Sequence, residues 1–384
     1  MPVRSALAGT VVAVAAVVAA VVFGASLIAL VGTPHQYGQN WNLELDLGFS
    51  GIPGSAGAKV LSAQPSVTEY AAGNYGQLTI GGEIVPAIGL DALRGGGYLT
   101  LLSGRAPSVP GEIALGAQTM RAIHRRLGQT VQVTVANLLP TAGPATQRTM
   151  RIVGMAVFPS FGRGSFAPTD LGTGAVVPAS VLPAGSEPGT TSFCGTSGTC
   201  YNFFLLRYRP GTDLNAAAAR LTAAVTAGGC PIGTCAVTAD QRPGDIEHYA
   251  AVRDTPLVLG AVLALLAVGT LAHVLLTSVR RRRRDLAVLK TLGLVRSQVL
   301  RVVAWEASAL AAAALLIGLP LGVLAGRWAW AIFAGSAGVS GQADVPLPLI
   351  LLAIPVTLLL ANLIAAGPGW DAARVHPASV LRSE

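Results

Sequence analysis

The sequence has little charge and few aromatic rings: Asp, Glu, Lys and Arg make up 11% of its 384 residues and Phe, Trp and Tyr 5%, against 52% hydrophobic residues. So low a charged fraction, with a mean hydropathy of +0.58, lies outside the usual range of soluble domains and points to an integral membrane protein. No Gly-Lys pair occurs anywhere; the phosphate-binding loop Gly-x4-Gly-Lys-Ser/Thr is therefore missing, and the chain does not bind ATP by that means. Also missing are His-Glu-x-x-His, a Gly-x-Ser-x-Gly elbow, and any close group of His, Cys and carboxylate at metal-ligand spacing, the five histidines being scattered from His35 to His376. No catalytic, cofactor or metal site is expected.

What is present is apolar runs of membrane length. Residues 6–31 are uncharged and too long for the apolar region of a secretory signal, roughly 7 to 15 residues, so they are expected to stay in the bilayer as a first span. Further runs cover residues 257–279, 302–326 and 346–367. Five consecutive arginines, Arg280 to Arg284, follow the second run. An arginine at mid-bilayer costs several kcal/mol, so residues 280–300 form a cytoplasmic loop, both termini lie inside, and residues 33–253 lie outside. Those exterior residues hold 14 Lys and Arg and 12 Asp and Glu, leaving 12 basic and 6 acidic residues for the rest. The high pI of about 9.8 thus reflects topology and is poor evidence for nucleic-acid binding.

Within the loop, Val288, Leu292, Val295 and Val299 share one side of a helix, with Lys290 and Arg296 off that stripe. The stripe rests either on lipid, with the arginines on anionic headgroups, or against a soluble partner that docks there. Residues 243–254 carry Ile246, Tyr249, Ala250 and Arg253 at helical spacing and lead into the second span. They either continue it as one rigid rod or form a linker broken at Pro256. In the third run, Gly318, Gly322 and Gly326 make a smooth groove for a close helix, and Glu306 sits near its cytoplasmic end. Arg327, Trp328 and Trp330 mark an outer interface, Pro355 is a candidate kink, and His273 is expected to be packed and neutral.

The exterior segment reads as a mixed α/β domain. Residues 75–90 suggest two strands around a Gly-Gly turn. Residues 111–135 suggest a strand, a helix with Met120, Ile123 and Leu127 on one face, and a second strand. Residues 150–158 and 201–208 are further strand candidates, and residues 159–199 read as loop. Cys194, Cys200, Cys230 and Cys235 all lie here, an even number on the oxidising side, so two disulfides are expected. Local pairing is the simplest of three connectivities, and spacing does not choose among them.

One span, a large exterior domain and three more spans with a basic loop resemble the FtsX-like permease family, the membrane subunits of ABC systems of the MacB and LolC/LolE kind. Residues 284–293 (RDLAVLKTLG) are similar to its cytoplasmic coupling segment, Glu306-Ala307 with the glycine series to its third span, and residues 376–382 to its ending. In the exterior domain, residues 104–107, 111–116 and 127–128 resemble its extracytoplasmic core. The resemblance implies a four-span α-helical protein of the bacterial plasma membrane: a first helix in residues 1–32, a MacB-like core in 33–253 and a permease domain in 254–384. It implies that an ABC ATPase, supplied in trans and carrying the ATP, binds around Arg284, Asp285, Leu286, Leu289, Lys290, Leu292 and Gly293. A second permease subunit or half is implied as well, for export or extraction of an amphiphilic, lipid-linked or peptide substrate. The alternative is a membrane-anchored sensor or a cell-wall-hydrolase activator without transport. The region near Met1 is similar to the internal junction of long duplicated permeases.

Overall fold

In the computed structural model the described residues are 2–48, 51–136, 145–159, 169–182, 199–230, 235–239, 244–281 and 296–374. The chain forms two compact units: a membrane unit of residues 1–29, 251–332 and 342–384, and a head of residues 30–250 with 333–341.

Among the described residues, four helices are long and apolar enough to cross a membrane. They are α1 (Pro2–Gly32), α6 (Thr255–Arg281), α7 (Arg296–Ala337) and α8 (Leu347–Arg374). Within the membrane unit α1 packs through Gly24 and Ala20 on Leu257 and Gly260 of α6, and Val18 and Val22 of α1 cluster with Ile350 of α8. Val303, Ala307 and Ala311 of α7 meet Ala361 and Ala365 of α8, small side chains that let helices approach closely. Trp330 is fully buried edge-on against Phe23, with ring centroids 5.7 Å apart, and Trp328 is exposed. His273, expected to be packed, is exposed.

The head begins with β1 (Leu43–Asp46), β2 (Ile52–Pro53), α2 (Gly54–Ser62), β3 (Val67–Ile80), β4 (Glu83–Arg94) and β5 (Thr100–Gly104). β6 (Glu112–Gly116), α3 (Ala117–Ala122), β7 (Thr130–Ala136), β8 (Thr146–Val157) and β9 (Ala175–Val177) follow. It ends with β10 (Cys200–Tyr201), β11 (Phe203–Tyr208), α4 (Leu214–Ala227), β12 (Ala236–Ala239) and α5 (Gly244–Ala251). Two substructures share β3. Its first half joins the antiparallel order β12-β1-β11-β3, with α2 following β1 and α4 following β11. That is a split β-α-β layer. Its core is Leu43, Leu45, Phe204 and Leu206 under Leu61 of α2 and Leu221 of α4. The Asp213 carboxylate starts α4 by accepting the amides of Asn215 and Ala216 at 3.0 and 3.2 Å.

The second half of β3 opens a different ladder. It turns at Gly81 and Gly82, both at positive φ (62° and 91°), into β4, the backbone a tight hairpin needs. β4 pairs with β9, β9 with β6, β6 with β8, β8 with β7, and β7 returns to β3 at residues 77–80. The ladder closes on itself around Leu78, Ile80, Ile113, Leu115, Val133, Met150, Ile152 and Val177. β9 lies in the stretch read from sequence as loop. Its three residues, Ala175, Val176 and Val177, are fully buried between β4 and β6. α3 stops at Ala122, so Leu127, expected on its face, lies outside the helix and is 43% exposed.

Of the two readings of residues 243–254, a continuous rod and a break at Pro256, the chain shows a break. α5 ends at Ala251, residues 252–254 make a turn, and α6 starts at Thr255. Pro256 explains the break, because it has no N–H to continue a helix from before it yet fits the first turn of a new one. The amides of Leu257 and Val258 bond instead to the Asp254 carbonyl at 3.1 and 3.0 Å.

Candidate functional site

Arg284, Asp285, Leu286, Leu289, Lys290, Leu292 and Gly293 lie outside the described residues. The described chain resumes at Arg296, the first residue of α7, three positions after Gly293. Glu306 is half-buried one residue after the exposed Trp305, in the same part of α7 as the alanine contacts with α8.

Gly318, Gly322 and Gly326 lie along one side of α7 facing α1. A Cβ built at Gly318 would stand 2.9 Å from Val14 Cβ, at Gly322 2.6 Å from Val18 Cβ, and at Gly326 2.8 Å from Val22 Cβ. The repeats on the two helices are in step, i, i+4, i+8 against i, i+4, i+8. Carbonyls of α1 come within similar reach, Ala15 O at 2.7 Å from the Gly322 position, so only hydrogen fits there. Pro320 sits inside α7 between Gly318 and Gly322.

Two polar contacts tie this unit together, and neither was singled out in the sequence. Asn362 of α8 donates to Ser308 Oγ of α7 at 3.0 Å and to the Leu358 carbonyl at 2.8 Å. Ser26 of α1 donates to the Val22 carbonyl at 2.8 Å and accepts the Asp344 amide at 3.0 Å. A hydroxyl or amide inside an apolar run was the available signal, since such groups seek partners on other helices.

In the head, the segments resembling the family core converge. Arg105, whose amide bonds to the Val153 carbonyl at 2.9 Å, forms an ion pair with Glu112, and Glu112 also accepts the Ser108 amide at 3.0 Å. The Arg105 hydrogen bonds and the Ser108 amide hold the Glu112 carboxyl down at about 2. Asp91 accepts the Tyr201 hydroxyl at 2.9 Å and the Ala179 amide at 3.0 Å; burial, then this carboxylate, pushes the Tyr201 phenol up. Arg207 bonds to Glu69 at 2.7 Å and to the Gly96 carbonyl at 2.8 Å, and stacks over Tyr98 at 4.5 Å. Cys230 and Cys235 are disulfide-bonded with Cα atoms 6.3 Å apart. Cys200 is disulfide-bonded too, and Cys194 lies outside the described residues.

Residues 6–224 match the profile of the MacB-like periplasmic core domain, and residues 257–377 that of the FtsX-like permease C-terminal domain. Among curated proteins, the lipoprotein-releasing system transmembrane protein LolC of Haemophilus influenzae is 29% identical over 143 residues, 36% of this chain and 36% of LolC. The chain thus aligns with about a third of that relative's length. The crystallised periplasmic region of MacB from Actinobacillus actinomycetemcomitans covers 58% of this chain and 95% of its own at 14% identity and a TM-score of 0.34. For the extracellular domain of the noncanonic ABC-type transporter YknZ from Gram-positive bacteria the values are 51%, 100%, 13% and 0.31. The core-domain profile alone takes in more than half of the residues, and the permease profile takes in α6, α7 and α8: the chain belongs to the FtsX-like permease family and carries a MacB-like periplasmic core domain between its first and second membrane-length helices.

Proposed function

We propose that this chain is the permease subunit of an ABC system, moved by a separate ATPase that docks on residues 284–293 at the cytoplasmic face. Its work is to displace the head, for export or extraction of an amphiphilic, lipid-linked or peptide substrate. The observation that carries this is the family membership together with a basic block, Arg280 to Arg284, set between two membrane-length helices. Such a block is held on the cytoplasmic side by the cost of moving arginine through lipid, which leaves the adjoining stripe of Val288, Leu292 and Val295 open to a soluble partner. A second permease chain or half completes the assembly. In this proposal the nucleotide is bound by the separate ATPase.

The test is co-purification from membranes of the full chain with an ABC ATPase encoded beside it. The unaltered chain is expected to retain the ATPase. Leu289→Glu is expected to lose it, since a carboxylate replaces an apolar side chain at the docking segment, with membrane insertion unchanged. Failure of the unaltered chain to retain the ATPase would sink the proposal and favour the sensor or anchor alternative.

A further inference from the structure

Helix α7 is longer than a bilayer requires. Its 42 residues extend about 63 Å at 1.5 Å per residue, against about 30 Å of hydrocarbon. Trp305 and Trp328, both largely exposed, stand about 34 Å apart along it, the separation of two interfacial aromatic belts. The last turn, from Phe333, therefore projects beyond the membrane, and it belongs to the head.

There it is gripped. Gly338, at φ 74°, ends the helix and returns its amide to the Ala334 carbonyl at 2.8 Å. The carbonyls of Gly335 and Ser336 receive the Arg121 guanidinium, at 2.8 and 3.1 Å, and Gln118 Nε2 adds a bond to Ser336 at 3.2 Å. A cation at a helix C-terminus also meets the negative end of the helix dipole. Gly338 lies directly on Gly172: a Cβ at Gly172 would be 3.0 Å from Gly338 Cα, and one at Gly338 would strike Gly172 Cα. Gly172 in turn accepts the Gln118 amide of α3 at 2.8 Å. Phe333 stacks edge-on with Tyr249 at 5.4 Å, and the Ser340 amide reaches the Gln36 carbonyl at 3.4 Å.

We infer that α7 is the force-bearing element of this permease, starting three residues from the coupling segment and ending in a clasp of Gln118, Arg121 and Gly172 on Gly335 to Gly338. The turn at residues 252–254 makes the α5–α6 connection a joint instead. A continuous helix passes on displacement along its axis, whereas a turn absorbs it by rotating a few backbone dihedrals. This assignment rests on the ATPase-driven function proposed above.

Two measurements separate the clasp from the drive. In the full chain in nanodiscs without ATPase, amide exchange at Ser340 and Gln118 is expected to quicken at least tenfold in Gly338→Val, which places a branched side chain at positive φ against Gly172; unchanged exchange overturns the clasp. With the ATPase co-expressed, spin labels at Thr212→Cys and Leu349→Cys are expected to report a distance change on adding ATP and vanadate. Gly338→Val and Arg121→Ala should abolish the change, Arg121→Lys should keep part of it, and all three should keep the ATPase bound. Two glycines inserted after Arg253 should leave it at least half intact. A full change in Gly338→Val, or none with the inserted glycines, overturns α7 as the carrier. If no ATPase associates with the unaltered chain, the drive falls together with the proposed function, while Ser340 exchange still decides the clasp.

Discussion

Replacing Gly322 by alanine tests how tightly α7 and α1 are matched. The new methyl would stand 2.6 Å from Val18 Cβ and 2.7 Å from the Ala15 carbonyl oxygen, both on helix backbone or its first carbon, where no rotamer can yield. Restoring ordinary contact requires the helices to part by about 1 Å, and a gap of that size forfeits a quarter to a half of each dispersion contact along the seam. Over-packing of this kind costs about 1–3 kcal/mol, while alanine regains about 1 kcal/mol of helix propensity over glycine, leaving about 0–2 kcal/mol of net destabilisation. Gly269 of α6 has nothing within 4 Å of its Cβ position, so Gly269→Ala keeps the propensity gain without the clash. The two variants should differ by about 2 kcal/mol, roughly thirtyfold in the equilibrium for separating the helices. The measurement is reversible unfolding in bicelles, followed by energy transfer between dyes on α1 and α7. The alanine series should rank Gly322 worst, then Gly326, then Gly318, in the order of their clash distances of 2.6, 2.8 and 2.9 Å. Equal stability of Gly322→Ala and Gly269→Ala would refute the close fit.

Glu112 sets a pH window for the head. Its folded value is drawn from 4.5 down to about 2, so its contribution is fully present above 4.5 and is lost as pH falls towards 2. The protection of the Ser108 amide, its exchange rate relative to the intrinsic rate at each pH, should fall as pH drops through that window and become independent of pH in Glu112→Gln. The Cys230–Cys235 bridge closes a loop with a sequence separation of 5. Cys230→Ser with Cys235→Ser should therefore cost the head no more than about 2 kcal/mol on loop-closure grounds, read as a small fall in its melting temperature; a collapse of the fold would show that the bridge does more. Asn362→Leu should cost about 0.6–1.7 kcal/mol, the range for one hydrogen bond between membrane helices, and Ser308→Ala combined with it should add little, because the two share one bond.

The spans were legible because an uncharged run of about 20 residues is a local property. Where α7 ends was not. Arg327 and a bilayer-sized count both argued for stopping near Gly326, yet nothing in residues 327–337 breaks a helix until Gly338 takes a positive φ. The spacing of Gly318, Gly322 and Gly326 is visible in the sequence. That Val14, Val18 and Val22 face it is not, since α1 is valine and alanine on every side. Strands with their own alternation, such as residues 75–90, could be read directly. β9 could not: three residues among glycines and prolines become a strand only because β4 and β6 stand on either side. Nothing in the sequence sets Arg121 apart from Arg125 and Arg126, and the carbonyls it meets belong to a helix end more than 200 residues later in the chain.

The two-part pairing of β3 bears on where a displacement at the clasp would go. α3 and the turn at residues 170–173 belong to the closed ladder: Met120 packs into its core, and the Gly116 amide that joins β6 to α3 bonds to the Gly174 carbonyl at 2.9 Å. Closed ladders have no free edge along which strands can slide, so a pull on Arg121 moves that lobe as a body. β3 is the strand that continues from it into the split layer, with its residues 67–73 paired to β11 and 77–80 to β7. β4 runs alongside it through the crossing, Asn74, Tyr75 and Gly76 pairing with Gly89, Ile88 and Ala87, and Asn74 is fixed by the Leu182 carbonyl at 2.8 Å and the Asn202 amide at 3.1 Å. Those two bonds, each to a different segment of chain, hold the crossing point still, and the lobe that carries the clasp and the lobe that carries α2 and α4 are expected to move together.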